Sequence, residues 1–166
     1  TAESVPVARP LADLPLAEVK ARQVAAGSLA GTFVVLLTGD GGWAGLDRDV
    51  AAALAQRGVP VVALSTLRYF WHERTPGEAA QDLNRIIQHY VAAWRRPQVL
   101  LVGYSFGANV LPFLVGQLPG ATRQAIRGIS LLAPATHTGF EVHVADWIPG
   151  SVPEGRPIQP ALESLQ

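Results

Sequence analysis

Apolar and polar residues alternate in blocks along this chain, and the blocks have two different periods. "GTFVVLLTG" (31–39) and "VPVVALST" (59–66) are near-continuous aliphatic runs, as strands buried on both faces of a parallel sheet require. "QVLLVGY" (98–104) and "GISLLAPA" (128–135) repeat that pattern, and a short strand is expected around Leu14 to Ala21. Between the runs the period becomes helical. "GLDRDVAAALAQRG" predicts a helix with Leu46, Val50 and Leu54 on one side and Gly58 as its stop. Thr75-Pro76-Gly77-Glu78 has capping-box spacing with proline at the first helical position. Leu83, Ile86, Ile87, Tyr90, Val91 and Trp94 carry that helix to Pro97, and another helix follows Ser105. The first twelve residues, rich in Ala and Pro, read as an extended segment; 149–160 reads as a proline-rich loop, and "ALESLQ" as the opening of a helix that is cut off.

Strands alternating with helices predict an α/β fold: a mostly parallel sheet with helices on both faces, its last strands missing, in a single domain over 1–166. Composition agrees, since 49% hydrophobic against 16% charged residues suits one sizeable core. Thirteen basic and thirteen acidic residues cancel without forming a stripe, which argues against nucleic acid as a partner. Arg95 and Arg96 suit the last turn of a helix, where cations favour the dipole. No apolar run is long enough to span a bilayer. The absence of cysteine leaves the redox compartment open, and the start of the chain reads as a trimmed or mature end.

In such a sheet the carboxyl ends of the strands share one edge, where ligands bind. That edge collects Gly39 to Gly42, Leu67 to Arg74, Ser105, and Thr136 to His143. Gly103-Tyr104-Ser105-Phe106-Gly107 stands between a strand and a helix, the pattern of a nucleophile elbow, with Gly103 and Gly107 making room and the Phe106 N–H facing a developing oxyanion. The alternative is that Ser105 only caps a helix. "LLTGDGGW" is a glycine-rich loop after an earlier strand, and the Asp40 N–H is the expected second oxyanion donor, its carboxylate turned away. Gly39-x-Gly41-x-x-Ala44 also fits a dinucleotide fingerprint. No carboxylate ends the next strand, at Ser65-Thr66, although Arg68 suits the 2′-phosphate of NADP.

"LRYFWHERTP" (67–76) places an aromatic cluster on the same edge. Arg68, Tyr69 and Trp71 are candidate pocket residues, and Arg68 and His72 candidate contacts to a phosphate or carbonyl; the alternative is rings packed on the core with Arg68 solvated. The elbow chemistry needs an acid and a histidine after the serine. His137, His143, Glu141 and Asp146 are the groups in place, and His137, on the functional edge, is a candidate base or a loop residue without a role. His72-Glu73 lacks a second histidine four residues on, and His137 and His143 lack a ligand spacing, so no metal is expected.

"LLTGDGGWAGLDRDVA", "LSTLRYFWHERTP", "LVGYSFGANVLPF" and "LLAPATHTGFEVHVADW", in that order, resemble the VirJ and AcvB proteins of the α/β-hydrolase superfamily. The resemblance implies a periplasmic serine hydrolase that needs no cofactor and releases the amino acid, commonly lysine or alanine, from aminoacylated phosphatidylglycerol, with links to type IV secretion and virulence. It matches Ser105 to the family's serine, Gly39 to Gly42 to its glycine-rich loop and Arg68 to Trp71 to its aromatic motif. Two departures stand out. Asn109 occupies a position that is usually Asp, and the further strands and His-His-Phe segment of the family lie outside this sequence. The chain is thus expected to be a piece of a longer hydrolase, inactive by itself, with its catalytic histidine elsewhere and a bare sheet edge that favours a homodimer.

Overall fold

The computed structural model describes residues 11–141 and 155–165. Residues 1–10 of the expected extended segment, and 149–154 of the expected loop, lie outside these, as do His143 and Asp146. A five-stranded sheet runs in the order β1 (Leu16–Val19), β3 (Val61–Leu64), β2 (Thr32–Leu37), β4 (Gln98–Tyr104), β5 (Ile126–Leu132). All neighbours are parallel except β1, which lies antiparallel to β3.

The unbroken apolar run of β2 is explained by its two neighbours and its two covered faces. Side chains alternate across a strand, so Phe33, Val35 and Leu37 enter the larger core with Leu83, Ile86, Ile87 and Leu111, while Val34 and Leu36 enter a smaller one with Ala51, Val61 and Ala63. Helices α3 (Pro76–Ala93) and α4 (Phe106–Gly116) supply the first layer. Thr75 opens α3 with both hydrogen bonds of a capping box, as its spacing predicts. The helix ends one residue before its Trp94 cap, so Arg95 and Arg96 stand beyond it rather than in its last turn; Arg96 Nη1 instead donates to the Thr32 carbonyl at 2.7 Å.

Helix α1 (Gly45–Gln56) keeps part of its expected face, since Leu54 packs against the smaller core, but its centre is shifted. Leu46 is 47% exposed, and the buried stripe is Asp47, Ala51 and Ala55. Small residues let α1 lie close on the sheet, a fit that large aliphatic residues at the same turns would obstruct. The aromatic stretch begins as a short helix, α2 (Thr66–Tyr69), and a further helix, α5 (Gly120–Ala125), leads into β5. After β5, a two-residue strand β6 (His137–Thr138) pairs antiparallel with β7 (Arg156–Pro157), and α6 (Gln159–Glu163) follows. Within the expected loop, 156–157 are therefore strand and 159–160 open α6. Among the described residues no helix is long and apolar enough to cross a membrane.

Candidate active site

Ser105 sits where β4 turns into α4, at φ 50 and ψ −112. A non-glycine residue held at positive φ carries strain of about 1–3 kcal/mol, which persists only where surrounding packing enforces it. The packing here is backbone against backbone. A Cβ on Gly103 would come within 2.7 Å of the Ala108 nitrogen, and one on Gly107 within 2.6 Å of the Leu37 carbonyl carbon. The Ser105 N–H is held by the Leu132 carbonyl at 2.8 Å, and the Gly107 N–H by the Thr38 carbonyl at 3.1 Å. The serine hydroxyl makes no capping bond, so the helix-cap alternative fails. Among the described residues it has no hydrogen-bond partner at all, and the Phe106 N–H beside it has no acceptor.

The glycine-rich loop comes up against this turn. A Cβ built on Gly39 would lie 3.6 Å from Ser105 Cβ and 3.1 Å from the Tyr104 ring, so the two segments touch. The Asp40 N–H has no acceptor among the described residues, as an oxyanion donor requires. The loop is braced by threonines that sequence reading did not single out. Thr66 Oγ1 donates to the carbonyls of Thr38 at 2.7 Å and Gly39 at 2.9 Å, Thr38 Oγ1 lies 3.0 Å from the Gly39 carbonyl, and the Gly42 N–H reaches that carbonyl at 3.0 Å. Both threonines are fully buried.

Beneath the loop lies Asp47, 4% exposed, with Oδ1 lacking a partner among the described residues. Burial raises its carboxyl from 3.8 to about 6, against the opposing pull of the Gly39 and Asp47 backbone amides. The stripe of Ala51 and Ala55 at successive turns after Asp47 is the signal by which a buried acid could have been found. The same geometry disfavours the dinucleotide fingerprint. Gly41 is exposed with open space where its Cβ would stand, so no close approach calls for glycine there, and Thr66, two residues past the next strand, is turned inward to the loop carbonyls.

Of the expected pocket residues, Arg68 and Trp71 are exposed, Trp71 to 52%. Tyr69 faces the core: it is 2% exposed, its hydroxyl donates to Asp82 Oδ2 at 2.6 Å, and Arg74 stacks on its ring at 4.1 Å. Burial, then the adjacent Asp82 carboxylate, pushes its phenol well above the usual range, so it stays protonated. Phe70 is likewise in the core, its ring tilted against Phe106 and Phe140. The short α2 turns Tyr69 and Phe70 inward and leaves Arg68 and Trp71 outside. A cleft of about 440 Å³ opens elsewhere, between the start of α3 and the β6–β7 pair, lined by Arg74, Glu78, Thr138 and Arg156 among others.

His137 is not joined to Ser105. Its Nδ1 lies 3.1 Å from Thr136 Oγ1 and its backbone pairs with Pro157. Buried Asn109 uses Oδ1 to accept the Ala135 N–H at 2.7 Å, tying α4 to the segment after β5. An acceptor is all that contact needs, which explains how a neutral amide serves there. Among the described residues no cluster of three His, Cys, Asp or Glu side chains is disposed to hold a metal.

Solved structures with this fold include the poly(3-hydroxybutyrate) depolymerase LpqC from Bordetella parapertussis, with TM-score 0.55 and 17% identity over 90% of this chain and 55% of that one. A protein assigned as a dienelactone hydrolase from Klebsiella pneumoniae matches with TM-score 0.55 and 13% identity over 92% of this chain and 72% of that one. The esterase domain of a Rhodothermus marinus protein aligns at TM-score 0.49 and 12% identity, over 75% of this chain and 52% of that one. The chain spans about half the length of the first and third of these. At such identities the likeness establishes the α/β-hydrolase fold alone. No curated protein sequence matches the chain. Residues 31–166, carrying the elbow, the glycine-rich loop and the strands beneath them, match the family model described as bacterial virulence protein (VirJ), and the chain belongs to that family.

Proposed function

We propose that this hydrolase-like domain is the nucleophile-bearing part of a serine esterase acting on the aminoacyl ester of aminoacylated phosphatidylglycerol, in the periplasm. The observation that carries the ester chemistry is Ser105 itself: strained, uncapped, flanked by two glycines that packing demands, and next to two unpaired amides. The hydroxyl attacks the aminoacyl carbonyl, and the N–H groups of Asp40 and Phe106 stabilise the tetrahedral oxyanion. The ester bond to the lipid glycerol breaks, the glycerol oxygen leaves with the serine proton, and water then cleaves the acyl-serine to free the amino acid. The proton is carried by a histidine outside the described residues. The lysyl or alanyl headgroup rests on the resemblance drawn from the sequence motifs, not on the site.

The full-length protein is expected to release lysine from vesicles of lysyl-phosphatidylglycerol, and Ser105→Ala to lower the rate by about 10³-fold or more. Equal turnover by the two proteins would remove Ser105 from the chemistry. A second reading, an accessory module for secretion that binds without turnover, is favoured by the lack of any described base bonded to Ser105; it predicts lipid or protein binding with no lysine released. Self-association through β5 belongs to the same proposal. That edge runs seven residues with Arg127 its sole charge, whereas the opposite edge is the four-residue β1 bearing Glu18. Sedimentation equilibrium returning only monomer would end that part.

A further inference from the structure

The peptide unit between Gly39 and Asp40 is planar and trans, so its carbonyl and its N–H point in opposite directions. Whatever fixes the Gly39 carbonyl therefore fixes the Asp40 N–H. Three donors converge on that oxygen: Thr66 Oγ1 at 2.9 Å, Thr38 Oγ1 at 3.0 Å and the Gly42 N–H at 3.0 Å. Thr66 follows β3, on one side of β2, while Ser105 follows β4 on the other. A carbonyl drawn toward Thr66 thus sends the Asp40 N–H toward the serine side.

The network also reaches the elbow. Thr66 Oγ1 shares its proton between the Gly39 and Thr38 carbonyls, and the Thr38 carbonyl also accepts the Gly107 N–H from the first turn of α4. The Thr66 N–H in turn donates to Thr38 Oγ1 at 3.0 Å. One buried hydroxyl pair therefore sets the loop and the elbow in a common frame. Water is excluded from it, since both threonines are 0% exposed, and an unmade bond there has no substitute.

We propose that Thr66, with Thr38, is a positioning residue for the oxyanion hole: the pair aims the Asp40 N–H and holds it in register with Ser105. This rests on the reading of Ser105 as nucleophile. The test is phenylboronic acid, which forms a tetrahedral adduct with a serine hydroxyl, followed by ¹¹B and amide NMR on the wild type, Ser105→Ala, Thr66→Val and Thr66→Ser. In the wild type an adduct absent from Ser105→Ala is expected, with the Asp40 amide proton moved downfield. Thr66→Val should weaken the adduct by about 10²-fold and abolish that movement, as misplacement of a single catalytic donor does. Thr66→Ser, which keeps the hydroxyl, should restore both.

Should Thr66→Val not fold, Thr38→Val removes the Gly39 contact and the acceptor of the Thr66 N–H, and carries the same expectation. An adduct of undiminished affinity in a folded valine variant, with the Asp40 signal still moving, overturns the positioning role and leaves the nucleophile intact. A wild type that binds boronate no better than Ser105→Ala overturns the nucleophile, and the positioning role with it.

Discussion

The two sides of the sheet around β4 are built to different standards. On the β2 side every residue of Thr32–Leu37 is buried, and the Ser105 turn is wedged against Leu37 and Thr38 with no space for a methyl group. On the β5 side the residues of Ile126–Leu132 are half-buried or exposed, and beyond them the His137 ring lies against Thr136 while its backbone pairs with Pro157. The difference teaches that packing around β2 accounts for a strained serine beside two amides without acceptors, whereas no base among the described residues is bonded to that serine. Close backbone packing can enforce a geometry by exclusion; a half-covered strand cannot.

The largest expected effect lies at the wedge. Gly107→Ala puts a methyl group into the Leu37 carbonyl, and we expect a loss of about 4 kcal/mol or more in urea denaturation, or no folded protein. A loss of less than half that would mean the elbow is looser than its contacts imply. Next comes a pair of register partners: Leu101 in β4, fully buried, opposes Ile129 in β5, half-buried. Leu101→Ala should cost about 3 kcal/mol and Ile129→Ala about 1. Equal costs would show that the β5 side is as well packed as the β2 side.

The third expectation concerns Asp47, under the glycine-rich loop. Its folded pKa, about 6, stands above the ordinary 3.8, so the folded protein holds this proton more tightly than the unfolded chain does. The contribution of this group to stability is then greatest below about pH 4 and falls as pH rises through 6, by an amount on the order of 2–3 kcal/mol. Asp47→Asn should recover that amount at pH 7.5 and change nothing at pH 3.5. Thermal melts of the two proteins that run parallel from pH 3.5 to 7.5 would show that the carboxyl is not desolvated as described.

Much of the architecture was legible in the chain because its signals are local. Unbroken aliphatic runs mark doubly covered strands, Thr75 to Glu78 marks the start of α3, and Gly103-x-Ser105-x-Gly107 between strand and helix marks the elbow. Where the reading went astray, distant partners decided. Large aliphatic residues on α1 suggested its inner face, yet of these Leu54 packs inward while Leu46 is exposed, and the buried positions are Asp47, Ala51 and Ala55. Three aromatic residues in a row gave no direction; the short α2 sent Tyr69 to Asp82 and left Trp71 in solvent. In the proline-rich stretch, Arg156 and Pro157 pair with residues 137–138, far off in sequence.

Hydrophobic period and glycine spacing by themselves determined that this protein builds a parallel sheet with a serine at a sharp turn, because those patterns act through neighbouring residues and steric rules common to all chains. Only the tertiary structure decided that Thr66, twenty-seven residues from Gly39, grips the loop carbonyl, that Asp47 is buried, and that the His137 ring lies against Thr136. Those outcomes depend on which strands lie side by side, and a hydrogen bond between remote residues leaves no periodic trace in the sequence.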